Sequence, residues 1–582
     1  MTSGRGRLGA LLVAVGATLA ACLPPAPPGS ASGTPSRPSL GAGGREDRVL
    51  VASYPTINAI AVSRRYVYAA TQDTPGGIVV YDRFRNAWLP PLGVGDATGD
   101  LLGGAPLRAM AADPVDDALW IGTPGQLRIV RPGTDQWVQL PITGTPDLIA
   151  FPRPGAGGAL APLGAGDAWV RASGQWIQVS RVGMALPASA PPPAGALLLP
   201  PSPAALMAQF PALRTLAGGV PVARRANRPL QAFPALVAVM APDRAGDAWV
   251  GTAGAGLLQV DAFSGQVTPR PYGLLSPGVG ALAPALDGVW VGGAGVPSAR
   301  AGLTYANTDL QQWRHIDGTI AVPLQGVRVL ALATRGAVAW MGTERGLVRV
   351  ALDGDEAMTR WTVLDGLPDD RVLAVAPRPE GAWAATLRGL VFVHDSAPIP
   401  DRRTRGVGAR WLDGQPVWAL QPVGDTLWLG TENGLVALAP IAPNAQGAAL
   451  ALPPQAGDAP GRQPVRALAA ADTVLVAATD QQLLWRPAWA SQPGAAWQAV
   501  PVDLRTIGRV QRVAADAHSV FVAGTDGVLQ WQRHTGAIRR LTIPADLPGP
   551  ALDLVAATGW LWVGTPAGLL RLRRDDTGAL WP

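Results

Sequence analysis

Four histidines, His315, His394, His518 and His534, are all the imidazole in this 582-residue chain, and no two have the close spacing of a helical zinc pair. Lysine is missing altogether, so the 47 basic residues are all arginine. Without an amine there is no Schiff-base chemistry, and without Gly-Lys-Ser/Thr there is no phosphate-binding loop of that type. Acidic side chains gather at Asp353, Asp355 and Glu356 and again at Asp369-Asp370, but neither group has the loop spacing of an EF-hand. Aspartate in such turns satisfies its own backbone, so both groups read as turns. His394-Asp395 ends an apolar run and reads as a surface turn in preference to a general base with its carboxylate. His315, beside Trp313 and Arg314, has two readings, the rim of a sugar site or an outer-strand residue, and the second is preferred. The expectation is a chain with no catalytic residue, no metal ligand and no cofactor.

Arginine clusters are the remaining candidates. Arg402-Arg403 with Arg405 and Arg410, Arg224-Arg225 with Arg228, and Arg571 with Arg573-Arg574 could each meet an anionic partner, because a guanidinium fork matches carboxylate and phosphate. A solvated loop between strands is the preferred reading of the first, and alternation with Leu570 and Leu572 makes Arg571 and Arg573 an exposed strand face. The formal charge is only +6, with 41 acidic residues against the arginines. The high isoelectric point follows from guanidinium basicity and is no nucleic-acid footprint.

What would position any of these groups is a repeat. Leu427-Trp428-Leu429-Gly430-Thr431 with Gly434-Leu435 recurs as Leu119 to Thr123, Ala248 to Thr252, Ala339 to Thr343 and Leu561 to Thr565. Taking the tryptophan or its substitute, the series runs Tyr68, Trp120, Trp169, Trp249, Trp290, Trp340, Trp383, Trp428, Val476, Val522 and Trp562. Steps of roughly 40 to 52 residues match one four-stranded propeller blade. The gap from Trp169 to Trp249 is wide enough for a degenerate copy, with Pro187 to Ala232 either that copy or an insertion. Within one copy, Val372 to Ala376, Ala382 to Thr386 and Leu390 to Val393 are short apolar runs separated by turn residues, which is hairpin punctuation. The tryptophans read as packing surface between blades, and the small Gly-Thr pair as a place where strands crowd.

The fold expected is therefore all-β, a β-propeller of about twelve four-stranded blades. More than eight blades per ring is unusual, so two tandem rings of six are expected, over residues 48–325 and 326–582, with seven plus five as the alternative. The strand Arg48 to Ser53 is placed to complete a later blade and so leave no open edge.

Gly366-Leu367-Pro368-Asp369-Asp370-Arg371-Val372, followed by Ala382-Trp383 and Arg388-Gly389-Leu390-Val391, resembles the two-component regulator propeller repeat. Residues 340–348 and 427–435 are similar to it, and the resemblance covers roughly residues 50 to 580. It implies an extracytoplasmic propeller of the kind carried by hybrid sensor kinases that detect polysaccharide fragments. The chain departs from that pattern in having no kinase region or transmembrane helix after its last repeat. Asp575 to Trp581 resembles in addition the quinoprotein propeller repeat, yet a single cysteine cannot supply the vicinal pair such a dehydrogenase carries.

Arg5 and Arg7 precede the apolar run Leu8 to Ala20, too short to span a bilayer and of the form of a secretory signal peptide over residues 1–21. Leu19-Ala20-Ala21-Cys22 resembles the bacterial lipobox, which implies acylation, palmitate included, of Cys22, the only cysteine. Residues 22–47 are rich in Pro, Gly and Ser and read as a flexible tether. Leu23, not aspartate, follows the cysteine, so the retention rule gives no reason to stay at the inner membrane. The leading expectation is a monomeric, non-catalytic propeller held to the outer membrane or cell surface by its lipid, binding a ligand, a glycan among the candidates, or a partner protein, as sensor or scaffold. No nucleic acid is expected. The alternatives are a structural lipoprotein in outer-membrane assembly and a propeller lyase or lactonase.

Overall fold

In the computed structural model the chain is described over most of residues 47–580 and at Pro35–Ser36. Residues 1–34, 37–46, 93–104, 153–167, 185–196, 209–219, 223–230, 396–411, 439–462 and 488–496 and several shorter stretches are outside the description. Cys22 and the Arg224 and Arg402 clusters lie there. The described residues are strand and turn with two short 3-10 helices, Val363–Asp365 and Leu504–Ile507, and no helix among them is long and apolar enough to cross a membrane, a statement that does not bear on membrane-crossing strands. The fold is an all-β propeller built of antiparallel sheets.

Two compact units make up the chain, residues 1–37 with 105–200 and residues 38–104 with 201–582. The first holds two sheets. Leu119–Thr123 is the second strand of one and Ala168–Ala172 the second strand of the other, and Trp120 packs edge-on to Phe151 at 5.7 Å between them. Pro35–Ser36 pairs with Trp137–Val138, so this part of the expected tether 22–47 belongs to a sheet edge and is no free spacer.

The second unit holds a closed circuit. First strands Val279–Ala285, Val329–Arg335, Val372–Arg378, Val417–Val423, Ala467–Ala471, Val510–Ala515 and Asp553–Ala557 each pack on the next, and the last returns to the first. Seven blades therefore close on one another, which corrects the expected boundary after residue 325: the sheet Val279–Asp317 packs directly on both the Val329–Trp361 sheet and the Asp553–Arg573 sheet. Arg48–Val51 pairs antiparallel with Leu569–Leu572 and supplies the fourth strand of the seventh blade, the edge-closing role the sequence assigns it. Two further blades, Ile57–Leu92 and Leu236–Arg270, pack on each other, and Val220–Val222 pairs antiparallel with Gln231–Phe233 in a two-stranded sheet in the stretch read as either a degenerate copy or an insertion.

All eleven markers of the repeat are buried, Tyr68, Trp120 and Trp562 completely, each on the second strand of its sheet. Second strands such as Thr426–Thr431 are apolar without alternation because both faces meet a neighbouring blade. The glycine of Gly-Thr sits where the next blade presses in: a Cβ on Gly564 would stand 2.5 Å from Val279 Cγ1, and one on Gly342 would stand 2.7 Å from the Val372 carbonyl oxygen. The threonine does something packing does not explain. Its hydroxyl donates across the hairpin to the carbonyl of the glycine that follows, at 2.7 Å from Thr343 to Gly346, 2.9 Å from Thr386 to Gly389, 2.8 Å from Thr431 to Gly434 and 2.9 Å from Thr565 to Gly568. Three of these hydroxyls also accept a backbone N–H of the turn, from Arg345, Arg388 and Asn433. The repeated Gly-Thr-x-x-Gly is thus a side-chain-tied hairpin.

Polar ties join the last two blades. Asp516 pairs with Arg574 and accepts N–H bonds from His518 and Ser519 at 2.8 Å each. Burial pushes the Asp516 carboxyl up, but Arg574 and these donors outweigh it and hold the group below the ordinary carboxylate range. A depressed carboxylate adds stability above its unfolded pKa of about 3.9 and loses it as pH falls through the lower folded value. Asp516→Asn is therefore expected to destabilise by about 1–2 kcal/mol at pH 7, with the deficit shrinking toward pH 3. Urea unfolding midpoints at the two pH values test this, and a deficit of equal size at both would reject it.

Candidate functional site

The first strands of the ring share an irregularity. Pairing with the second strand skips one residue between Val279 and Ala281, Val329 and Ala331, Val372 and Ala374, Val417 and Ala419, and Val510 and Arg512. A bulge of this kind re-aims the extra side chain. The skipped residues Gly280, Leu330, Leu373, Trp418 and Gln511, with Arg466 and Leu552 at the matching positions of the other two blades, line one opening of about 190 Å³. All seven blades contribute to it, so it lies where their first strands converge.

The chemistry of the opening is cationic. Arg328, Arg371 and Arg509 stand one residue ahead of the first strands beginning at Val329, Val372 and Val510, and Arg466 and Arg512 complete a set of five. Arg512 crosses the opening: it donates to the carbonyls of Leu330 and, at 3.2 Å, Leu373, while its Nε stands 3.7 Å from Asp553. Asp553 in turn accepts the backbone N–H of Leu282 at 2.7 Å and of Leu554 at 2.9 Å. Burial pushes its carboxyl up, against the pull of Arg512 and these donors. Arg512 and Asp553 occupy the place in the repeat where the other five ring blades have Ala281, Ala331, Ala374, Ala419 and Ala467. An ion pair bound to backbone of several blades thus replaces two alanines and forms a floor.

Around the wall, Arg466 reaches Glu432 and Asp480 at 3.2 Å each and lies over the Trp418 ring at 4.7 Å. Trp418 Nε1 donates to the same Glu432 at 2.8 Å. Arg371 stands 4.0 Å from Glu344. Among the described residues no carboxylate lies within ion-pairing distance of Arg328 or Arg509, and Arg328 Nε is buried without a hydrogen-bond partner. Burial pushes the Arg328 guanidinium down from its ordinary value, Glu344 opposes this, and Arg512 and Arg371 add to it.

The residues singled out in the sequence sit elsewhere. His315 is on the outer strand Trp313–Asp317 with Nε2 2.9 Å from the Gly273 carbonyl. His394 ends the strand Gly389–His394 and packs edge-on to Phe392 at 4.9 Å. His518 and His534, distant in sequence, bring their rings to 6.0 Å. Arg571 lies 4.0 Å over Trp560, Arg573 pairs with Asp47 at 3.0 Å and Arg574 with Asp516, so this arginine cluster ties the seventh blade to its neighbours and to the closing strand. Glu356 pairs with Arg314 at 2.7 Å, Asp369 and Asp370 accept backbone N–H bonds in their turn, and Asp353 is exposed, while Asp355 lies outside the described residues. Among the described residues no group of three His, Cys, Asp or Glu side chains is arranged to hold a metal. Sequence reasoning missed the axial arginines because it read Val-Leu-Ala in Val372 to Ala376 as uniform apolar strand. The signal was there in the variable middle residue of each Val-x-Ala, in the arginine ahead of two of them, and in Arg509 ahead of Val510-Gln511-Arg512.

No protein-family profile matches the sequence, and no curated protein matches it. Among solved structures, the chain is similar to the extracellular domain of a candidate one-component system from B. thetaiotaomicron at 13% identity and TM-score 0.36, over 90% of this chain and 64% of that one. It therefore spans less than two thirds of that protein's length. PorZ, a bacterial surface component of the type-IX secretion system of Porphyromonas gingivalis, is similar at 14% identity and TM-score 0.40, over 89% of this chain and 74% of that one. Virginiamycin B lyase from Staphylococcus aureus is similar at 12% identity and TM-score 0.37, over 51% of this chain and 95% of that one.

Proposed function

We propose that this chain is a lipid-anchored, extracytoplasmic propeller that binds a ligand or a partner protein without catalysing a reaction, and that the opening on the axis of the seven-blade ring is its binding site. One observation carries the reading: every blade of the ring turns a bulge residue, or its equivalent, into a single opening that holds five arginines and Trp418. A rigid scaffold that converges polar groups on one cavity is the usual architecture of small-molecule recognition. The groups there are fixed cations and their carboxylate partners, a set suited to holding charge more than to exchanging protons. A role as sensor or scaffold takes its support from the resemblance of residues 366–391 to the two-component regulator propeller repeat. The anchor takes its support from Leu8 to Ala20 followed by Cys22.

Two measurements test the reading. Cys22→Ser is expected to abolish labelling by palmitate and move the protein from the membrane fraction to the soluble one. Wild-type protein recovered in the cytosol with its leader intact would overturn the anchor. Purified mature chain is expected to bind members of a glycan and metabolite panel without consuming them, and turnover of any member would overturn the non-catalytic role.

A further inference from the structure

Resting on the reading of the axial opening as a binding site, we infer that its ligand carries a carboxylate or phosphate group, and that Arg328 and Arg509 hold it. Five guanidinium groups line this opening, and the carboxylates within reach are already engaged: Glu432 and Asp480 by Arg466, Asp553 by Arg512, and Glu344, more distantly, by Arg371. Among the described residues Arg328 and Arg509 have no carboxylate at ion-pairing distance, Glu344 acting on Arg328 only from farther off. A guanidinium offers five N–H donors in a fixed fork, and a buried one that lacks an anion is costly to keep. Arg328 is half-buried with its Nε enclosed, whereas Arg509 is exposed at the mouth, so one can grip the charge inside and the other can draw it in.

The volume sets the size. About 190 Å³ is smaller than a drug-sized pocket. That is room for one small oxyanion or for the charged end of a longer molecule. The face of Trp418 is covered by Arg466, which leaves guanidinium groups and not an open aromatic platform as what an incoming molecule meets. A neutral sugar would leave the cations without a counter-charge; a carboxylate or phosphate supplies it through charge-assisted bonds.

Isothermal titration of the mature chain with inorganic phosphate, citrate, glucuronate and glucose tests the inference. At least one of the three anions is expected to bind with one-to-one stoichiometry and to weaken as salt rises, and glucose to give no heat. Arg328→Gln with Arg509→Gln is expected to weaken anion binding tenfold or more, while Arg540→Gln, exposed on an outer strand, leaves it unchanged; unaltered thermal melts show that both variants fold. Phosphate binding alone would point to a phosphate ester or free phosphate, and citrate or glucuronate alone to a carboxylate. Binding of all anions that survives the double substitution would overturn the inference, as would the absence of any anion binding at millimolar concentration. Glucose or a neutral glycan that binds and is lost in Trp418→Ala, with no anion bound, would overturn the anionic ligand yet leave the axial binding site standing.

Discussion

Trp562→Ala is expected to lower the stability of the ring by about 3–5 kcal/mol, the usual cost of emptying a fully buried large aromatic site. Trp562 has no exposed surface and packs in the cluster that contains Val279 and Leu282 of the first ring blade, Val555 and Leu569 of the seventh, and Val51 of the closing strand. Its loss would therefore leave a void at the seam where the circuit closes. Surrounding strands cannot collapse fully into such a void, because each is laddered to its own sheet and pressed by the neighbouring blade. The indole Nε1 is buried without a partner, so Trp562→Phe, which removes that N–H along with some volume, is expected to cost well under half as much. Equilibrium urea unfolding followed by near-ultraviolet circular dichroism measures both. Equal midpoints for wild type and Trp562→Ala would show that the repeat tryptophans are not what holds the blades together.

Removal of the strand Arg48–Val51 is the second large effect. Those residues pair one to one with Leu572 through Leu569, Val51 is buried in the shared core, Arg48 Nη2 donates to the Asp546 carbonyl at 2.8 Å, and Asp47 pairs with Arg573 at 3.0 Å. Burial of a valine contributes about 1.5–3 kcal/mol, and the ion pair, with Asp47 buried and Arg573 half exposed, about 1 kcal/mol. With the ladder added, a chain starting at Ala52 should lose on the order of 3 kcal/mol of local protection, or about a hundredfold in opening equilibrium. Hydrogen exchange at the amides of Gly568–Arg573 is the readout. Unchanged protection there, with the strand absent, would mean that the seventh blade is stable as three strands.

How much of this could be read from the sequence follows from what is local and what is not. The eleven markers were legible because a large aromatic at a fixed place between two strands is a local pattern, and every one of them is buried. The hairpin turns were legible for the same reason, though the threonine hydroxyl in them was taken for small bulk and is a hydrogen-bonding tie. The grouping of blades was not legible. The spacing from Trp290 to Trp340 is the same whether or not a ring begins between them, and only the contact of Asp553–Ala557 with Val279–Ala285 decides it. The axial arginines were hidden by a related effect. Val-Arg-Ala at residues 465–467 and Val-Trp-Ala at 417–419 read as strand with an odd middle residue, and the direction in which that residue faces depends on the bulge or on the first strand's position in the ring. The charge run Arg571 to Arg574 turned out to be a set of internal ties, whereas the five arginines of the opening come from four blades and no two of them are adjacent in the chain.

Closing the circuit with a strand from the other end of the chain has a consequence for biogenesis. Asp47 and Arg573, 526 residues apart, are joined, so the seventh blade stays incomplete until almost the whole polypeptide has emerged. At ordinary synthesis speeds that is on the order of a minute, during which Arg48–Val51 waits without its partner strand. Contacts of such separation are slow to form, and an open sheet edge invites association with other chains. A holding chaperone would have its greatest influence on yield in that interval.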